Sequence, residues 1–549
     1  MVLSRALGPG LNFSGAALSR LSGVVLGLTT ALTATSGLAV TTLTSDQTVQ
    51  VAQAQAGDPA LTSAIDTILA DPRFTGSMVS VAVRDANTGE ALYERNVGQR
   101  LNPASNMKLF TSAAAMDALG PDFRFTTDVL ASGPLRGGQL GSPVYLRGGG
   151  DPTMLAEDYA ELASQLHDAG VRRVQGDVVA DDAYFDDVPL ATAWSWDDEP
   201  FYYSAVTSAL TVAPNTDYDS GTANVETSPG AVGSAPAVQL QPRTDAVEVV
   251  NQATTGAAGS ANTLSVEREH ASDKVFVTGS IPSGASANQE WVTVPDPTTY
   301  AADVFTRALR AEGIQISGTV REGSTPDGAR VLATHDSMPL QELLTPFMKL
   351  SNNMHAEALV KTMGRESGGA GSWPAGLAVV RSYAQSQGVD TGVVRISDGS
   401  GLSRFDLLTT GAVADLLVAV KNEPWFQAWY DALPIAGNPD RFTGGTLRSR
   451  MRNTAAADNL HGKTGSMTSV TALSGYVSNA DGRELVFSMI SNNYLSTPRS
   501  QEDALGVTLA QWSETRASGG LDELDQPSAR TGGPKSGPAD VECSWVKAC

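Results

Sequence analysis

The chain has 549 residues, enough for roughly two to four domains with cores of their own. Hydrophobic residues make up 41% and charged residues 17%, with a formal net charge of −22 and no Lys/Arg run, which suits a folded soluble body and excludes the basic face of a nucleic-acid binder. The two cysteines, Cys543 and Cys549, both lie near the C-terminus, so thiol catalysis and cysteine-built zinc or iron–sulfur sites are excluded from the body.

Residues 1–20 carry Arg5 and Arg20 and no acid, and the stretch from Leu21 to Ser45 is uncharged and largely apolar. Small-x-small patterns follow at Gly37-Leu38-Ala39 and Ala54-Gln55-Ala56. Residues 1–56 therefore read as an export signal. The apolar run is also long enough to act as an uncleaved anchor, which would associate the protein with a membrane.

The folded body is expected from residue 57 or 58. The first part, 57–122, holds a helix at Leu61–Ala70, an alternating strand from Gly76 to Arg84, a return strand at Ala91, and a helix from Lys108 to Leu119 that Gly120-Pro121 ends. Residues 123–323 then change texture. Short strand-like runs (143–147, 176–180, 246–250, 274–278) are separated by Gly, Ser, Asn and Pro, with helices at 156–169 and 300–312. This is a β-rich insertion of one or two domains. Helical texture returns over 324–516, with helices at 340–350, 354–363, 373–387, 409–421 and 500–514 and a strand pair at 469–477 and 484–492. Residues 517–549 read as a flexible tail. Cys543 and Cys549 could close a small loop there in an exported protein, or remain separate thiols.

Three short patterns carry chemistry. Pro103 stops a helix from arriving, so Ser105-Asn106-Met107-Lys108 opens one, with the hydroxyl and amine one turn apart on one face. That is the minimum for a serine nucleophile with a lysine base, although S-x-x-K also occurs on ordinary helices. Ser351-Asn352-Asn353 lies between two helices, where such side chains often only cap backbone. Lys463-Thr464-Gly465-Ser466 leads into a strand, and lone K-T-G tripeptides are usually turns. Gly462-Lys463-Thr464 does not complete a phosphate-binding loop, because position 457 is Ala and a strand follows. The five histidines are scattered, and no serine sits in a Gly-x-Ser-x-Gly elbow.

In the order S-x-x-K, S-x-N, K-T-G the three patterns form a known set. With Leu146-Arg147-Gly148-Gly149-Gly150-Asp151-Pro152-Thr153 and Ser397-Asp398-Gly399-Ser400-Gly401-Leu402-Ser403-Arg404, the chain resembles the D-alanyl-D-alanine carboxypeptidases/endopeptidases of the low-molecular-mass class C penicillin-binding proteins over residues 60–515. The whole 123–323 region separates Lys108 from Ser351, and this family is known for a large insertion there. The resemblance implies an α/β fold, an antiparallel sheet flanked by helices as in penicillin-binding proteins and β-lactamases.

It also implies roles. Ser105 attacks the penultimate D-alanine carbonyl, and Lys108 takes its proton. An ordinary lysine has a pKa of about 10.4, so this role requires burial or a second cation, for which Lys463 is the candidate. Ser351 passes a proton to the leaving nitrogen, and Asn353 holds the substrate amide and Lys108. Lys463 and Thr464 bind the terminal carboxylate. The backbone amides of Ser105 and Ser466 hold the oxyanion, and Gly465 lets the substrate run beside the strand. In the insertion, Trp194, Asp197 and Tyr202 form an aromatic and acidic cluster suited to a side chain ending in an amine, with Arg404 for a carboxylate; inter-domain packing is the other reading. No cofactor or metal is implied. The expected partners are peptidoglycan stem peptides ending in D-Ala-D-Ala and acylating β-lactam antibiotics, on the cell-wall side of the plasma membrane. A β-lactamase and an inactive cell-wall scaffold are the alternatives.

Overall fold

The protein is described by a computed structural model over residues 58–515; the N-terminal segment, its small-x-small patterns, the tail and both cysteines lie outside the described residues. Helix α1 (Pro59–Leu69) is capped by Asp58, whose carboxylate accepts from the Ala60 amide at 2.8 Å, and Pro59 occupies the first turn, where no N–H is needed. Its buried face is Leu61, Ile65, Ile68 and Leu69, one stripe at helical spacing. Strands β1 (Met78–Asp85) and β2 (Ala91–Arg95) form a hairpin. Helix α2 (Met107–Ala118) is buried along its whole run from Met107 to Met116. Alanines 113–115 let neighbours approach closely, and its polar residues find partners: Thr111 donates to the Gly399 carbonyl at 2.6 Å and Ser112 accepts from the Trp429 indole at 2.7 Å.

After the insertion come α3 (Leu340–Lys349), α4 (Asn353–Gly368), α5 (Trp373–Ser386) and α6 (Thr410–Ala419), then β3 (His461–Met467), β4 (Val470–Ser478), β5 (Glu484–Asn492) and α7 (Arg499–Gln511). Among the described residues, five strands make one antiparallel sheet in the order β2-β1-β5-β4-β3. β1 pairs with β5 along its full length, Val81 facing Met489, so the two ends of the body share one sheet. Helices α1 and α7 cover one face with Val79, Val81, Val83 and Phe487. Helices α2 to α6 cover the other with Ala82, Ala472, Val486 and Ile490. The alternation in β1 is therefore between two cores rather than between core and solvent.

The insertion carries its own core and several small sheets. Its five-stranded sheet runs Val320–Glu322, Val178–Asp181, Val144–Arg147, Thr126–Ala131, Arg330–Asp336. The last strand pairs antiparallel with Thr126–Ala131, Asp336 facing Thr126, so the strand that completes this sheet lies beyond residue 323. Composition marks the Gly- and Pro-bearing turn at 323–328; the strand that completes the sheet lies beyond it. The Ala-, Gly- and Ser-rich stretch after 217 holds Thr222–Ser228, paired on both sides by Ala237–Gln241 and Asn288–Thr293. One fastening to α4 is the fully buried Lys361, which donates to Asp186 Oδ1 and to the Val188 carbonyl, both at 2.7 Å.

Candidate active site

Ser105 lies in a single 3-10 turn, Ala104–Asn106, immediately ahead of α2. Ala104 is held at φ +45°, a left-handed conformation unfavourable for a residue with a Cβ. One turn on, Lys108 Nζ lies 3.0 Å from Ser105 Oγ, and donates to Asn353 Oδ1 at 2.7 Å and to the Ser400 carbonyl at 2.8 Å. Ser351, at φ +60°, fills the gap between α3 and α4. Asn352 takes the capping duty for α4, accepting from the Met354 amide at 3.1 Å. That leaves Ser351 and Asn353 to face the site. Lys463 donates to Ser351 Oγ at 2.7 Å and to the Thr464 carbonyl at 2.9 Å. Each serine therefore faces a lysine from another motif or turn, and Ser105, Lys108, Ser351, Asn353, Lys463, Thr464 and Ser466 are all 3% exposed or less.

Lys463-Thr464-Gly465 does not precede a strand; it lies inside β3, the edge of the sheet, with Lys463 facing Ser474 of β4. Gly465 is required from the protein side. A Cβ there would come within 2.8 Å of the Pro103 carbonyl and 3.1 Å of the Ser105 amide, so only glycine lets the edge strand close on the Ser105 turn. Asn106 Nδ2 completes the closure by donating to the Lys463 carbonyl at 3.1 Å. Along the strand, Thr464 Oγ1 lies 2.7 Å from Thr446 Oγ1, and Arg499 Nη2 donates to Ser466 Oγ at 3.1 Å.

The insertion reaches the same place. Tyr202 is buried against Ala104, Leu402, Met467 and Val470. The carbonyl of its neighbour, Tyr203, accepts from Asn353 Nδ2 at 2.7 Å. Trp194 packs at the edge of this cluster and donates its indole N–H to Asp398 Oδ2 at 2.9 Å. Asp197 and Arg404 are exposed, and Arg404 Nη1 reaches the Thr468 carbonyl at 3.4 Å. Asp198, beside them, has its carboxyl raised by burial against the pull of Tyr203 and Arg404. The structure thus gathers Ser105, Lys108, Ser351, Asn353 and the Lys463–Ser466 strand, and places Tyr202 and Trp194 in a packed wall with Asp197 and Arg404 outside it.

Four contributors were not singled out from sequence. The Ser400 carbonyl and the Tyr203 carbonyl carry no side-chain signal. Thr446 sits in a single 3-10 turn, Gly445–Leu447, and Arg499 opens a helix far down the chain. His355, two residues past Asn353 on α4, is a core anchor: its Nε2 lies 2.9 Å from the Tyr218 carbonyl, and burial lowers its pKa to about 4, so it is neutral. His461 stacks on Tyr430 at 4.2 Å. A cavity of about 420 Å³ between Phe123, Arg147 and Glu366 contains none of the catalytic candidates.

The profile of the D-Ala-D-Ala carboxypeptidase 3 (S13) family matches residues 61–513. The D-alanyl-D-alanine carboxypeptidase of Actinomadura sp. (strain R39) is 45% identical over 490 residues, 88% of this chain and 89% of that protein. The crystal structure of penicillin binding protein 4 (dacB) from Haemophilus influenzae superposes with a TM-score of 0.70 at 26% identity, covering 81% of this chain and 98% of that one. The same protein complexed with a novel β-lactam gives a TM-score of 0.64 at 25% identity over the same shares. A serine and lysine at the head of a buried helix, an edge strand closed on them through Gly465, and a match running almost the length of the described body lead to one assignment: the chain belongs to the D-Ala-D-Ala carboxypeptidase 3 (S13) family of serine peptidases.

Proposed function

We propose that this chain is an exported DD-peptidase that removes the terminal D-alanine from peptidoglycan stem peptides, cleaves peptide cross-links, or both, through an acyl-enzyme on Ser105. The observation that carries the reading is Lys108 Nζ, 3.0 Å from Ser105 Oγ and fixed by Asn353 and Ser400. Ser105 Oγ bonds to the penultimate D-alanine carbonyl carbon as its proton passes to Lys108. The backbone amides of Ser105 and Ser466 receive the oxyanion. Ser351 relays a proton to the departing D-alanine nitrogen as the C–N bond breaks, its hydroxyl restored by the proton that Lys108 took from Ser105, which leaves Lys108 neutral again. Water then cleaves the ester and frees Ser105. Lys463, Thr464 and Ser466 bind the terminal carboxylate, with Arg499 alongside Ser466.

Trp194, Tyr202 and Asp197, with Arg404, receive the stem-peptide diamino acid, apolar wall first and charged tip outward. Residues 1–56 act as an export signal or anchor, placing the enzyme on the cell-wall side of the membrane. β-Lactams acylate Ser105 as substrate mimics, a reading supported by the β-lactam complex of the Haemophilus influenzae protein. A labelled penicillin tests the proposal. A lasting adduct on the wild type and none on Ser105→Ala is the expected result. Rapid turnover of the label would point to a β-lactamase, absence of any adduct to a scaffold, and labelling of Ser105→Ala would overturn the assignment. Release of D-alanine from a pentapeptide, set against cleavage of a cross-linked dimer, separates the two peptidase activities.

A further inference from the structure

Beneath Lys108 lies a buried group of carboxyls that the mechanism above does not use. Glu357 is fully buried on α4, one turn past Asn353. Its Oε1 accepts from the Ser400 amide at 2.8 Å, and its Oε2 from the Gly399 amide at 3.0 Å and the Trp373 indole at 2.7 Å. Asp398, also fully buried, accepts the next amide, Gly401, at 2.7 Å. Three successive N–H groups of the 398–401 turn thus point at two carboxyls. The opposite edge of the turn points at α2, where Thr111 holds the Gly399 carbonyl and Lys108 Nζ is bonded to the Ser400 carbonyl.

The turn can be this tight only with glycine. A Cβ on Gly399 would lie 2.6 Å from Val360 Cγ2, and one on Gly401, at φ +85°, 1.9 Å from the Ala104 carbonyl oxygen. The Ser400 carbonyl therefore has one orientation, set from behind by Glu357 and Asp398.

We propose that Glu357 is a positioning residue for the catalytic lysine: its ionised carboxylate holds the Gly399 and Ser400 amides so that the Ser400 carbonyl fixes Lys108 Nζ against Ser105. The proposal rests on the reading of Lys108 as the base. The groups facing Glu357 are Asp398 and Asp406 from the loop side, Trp373 from α5 and Lys361 on its own helix, the last already bonded to Asp186. Burial and the Asp398 carboxylate push Glu357 up to about 7, and burial with the same neighbour raises Asp406 well above the usual carboxylate range. Protonation of Glu357 removes one acceptor just where two amides and an indole need it, so acylation should fall as pH drops through this region.

The test is the second-order rate of acylation by a fluorescent penicillin from about pH 5.5 to about 9, a range that brackets the Glu357 value of about 7. Glu357→Gln presents an NH2 to one of the two amide donors, and should acylate at least about tenfold more slowly at pH 8 with a displaced acid limb. Trp373→Phe keeps the carboxyl but deletes one hydrogen bond to its charged form. Its acid limb should move to higher pH while its plateau stays near wild type. If Glu357→Gln does not fold, the Trp373→Phe shift alone decides. An acid limb that stays in place in every variant that folds overturns the proposal. A wild type that takes no label at all would instead overturn the assignment of Lys108 and Ser105, so the two failures are distinct.

Discussion

At the scale of single residues, Arg499 and Gly465 make separable demands. The Arg499 guanidinium meets Ser466 Oγ at the outer end of the edge strand, where a C-terminal carboxylate would lie. Arg499→Ala should raise KM for D-alanine release about tenfold and lower kcat much less, the mark of binding lost equally in ground and transition states. An amide-capped peptide should show no such loss. Gly465→Ala should behave differently. Its methyl meets the Pro103 carbonyl at 2.8 Å and must push β3 away from the Ser105 turn. A displacement of even 1 Å costs on the order of a hundredfold in acylation, and a penicillin-labelling time course reads it directly. Ser105, Lys108, Ser351, Asn353 and Lys463 were legible in the sequence because each sits in a short pattern whose residue types carry the chemistry. Arg499 and Thr446 were not, since their place beside the strand is created only by tertiary packing. Glu357 lies on the same helix as Asn353, but its task depends on the amides of a turn 42 and 43 residues on, which no side-chain pattern reveals.

At the scale of elements, helices and hairpins followed the sequence closely, while the K-T-G strand was placed late. β3 has no apolar alternation, since Lys463 and Thr464 serve the site and Gly465 the close approach to the Ser105 turn. The β1–β2 hairpin shows the opposite case, a turn that sequence marks well. Asp85 accepts from the Asn87 and Thr88 amides at 2.8 and 2.6 Å and from Arg483 Nε at 2.7 Å. Burial alone would raise the Asp85 carboxyl, but Arg483 and those amides hold it at about 2. A depressed carboxyl contributes stability that is present above the unfolded pKa, near 3.8, and lost as pH falls through about 2. Wild type should therefore lose about 2 kcal/mol across that window which Asp85→Asn does not lose, as read by urea denaturation at stepped pH.

Taken as a whole, the described body is a sheet sandwiched by helices, with a β-rich region of separate core joined to it. Texture suggested a β-rich insertion over 123–323, and the strand Arg330–Asp336, which pairs with Thr126–Ala131, follows that composition change. How the insertion is held was not legible at all. Lys361 reads as an ordinary helix lysine but is buried beneath Asp186, with its ammonium 4.0 Å from the centre of the Trp373 ring. Asp186→Ala should destabilise the fold by about 3–5 kcal/mol, because it leaves a buried charge without its counter-ion. Lys361→Met with Asp186→Asn should recover most of that loss in thermal melts.

Trp512, just past α7, donates its indole N–H to Asp58 Oδ2 at 2.8 Å, so the two ends of the folded body meet on the α1–α7 side of the sheet. They stand on the face opposite α2 and Lys108. The described body, residues 58–515, is in effect a closed ring cut at one point, and the cut can be moved. Joining residue 515 to residue 58 through a short linker and reopening the chain at the exposed turn 231–235 should give a circular permutant that still takes the penicillin label.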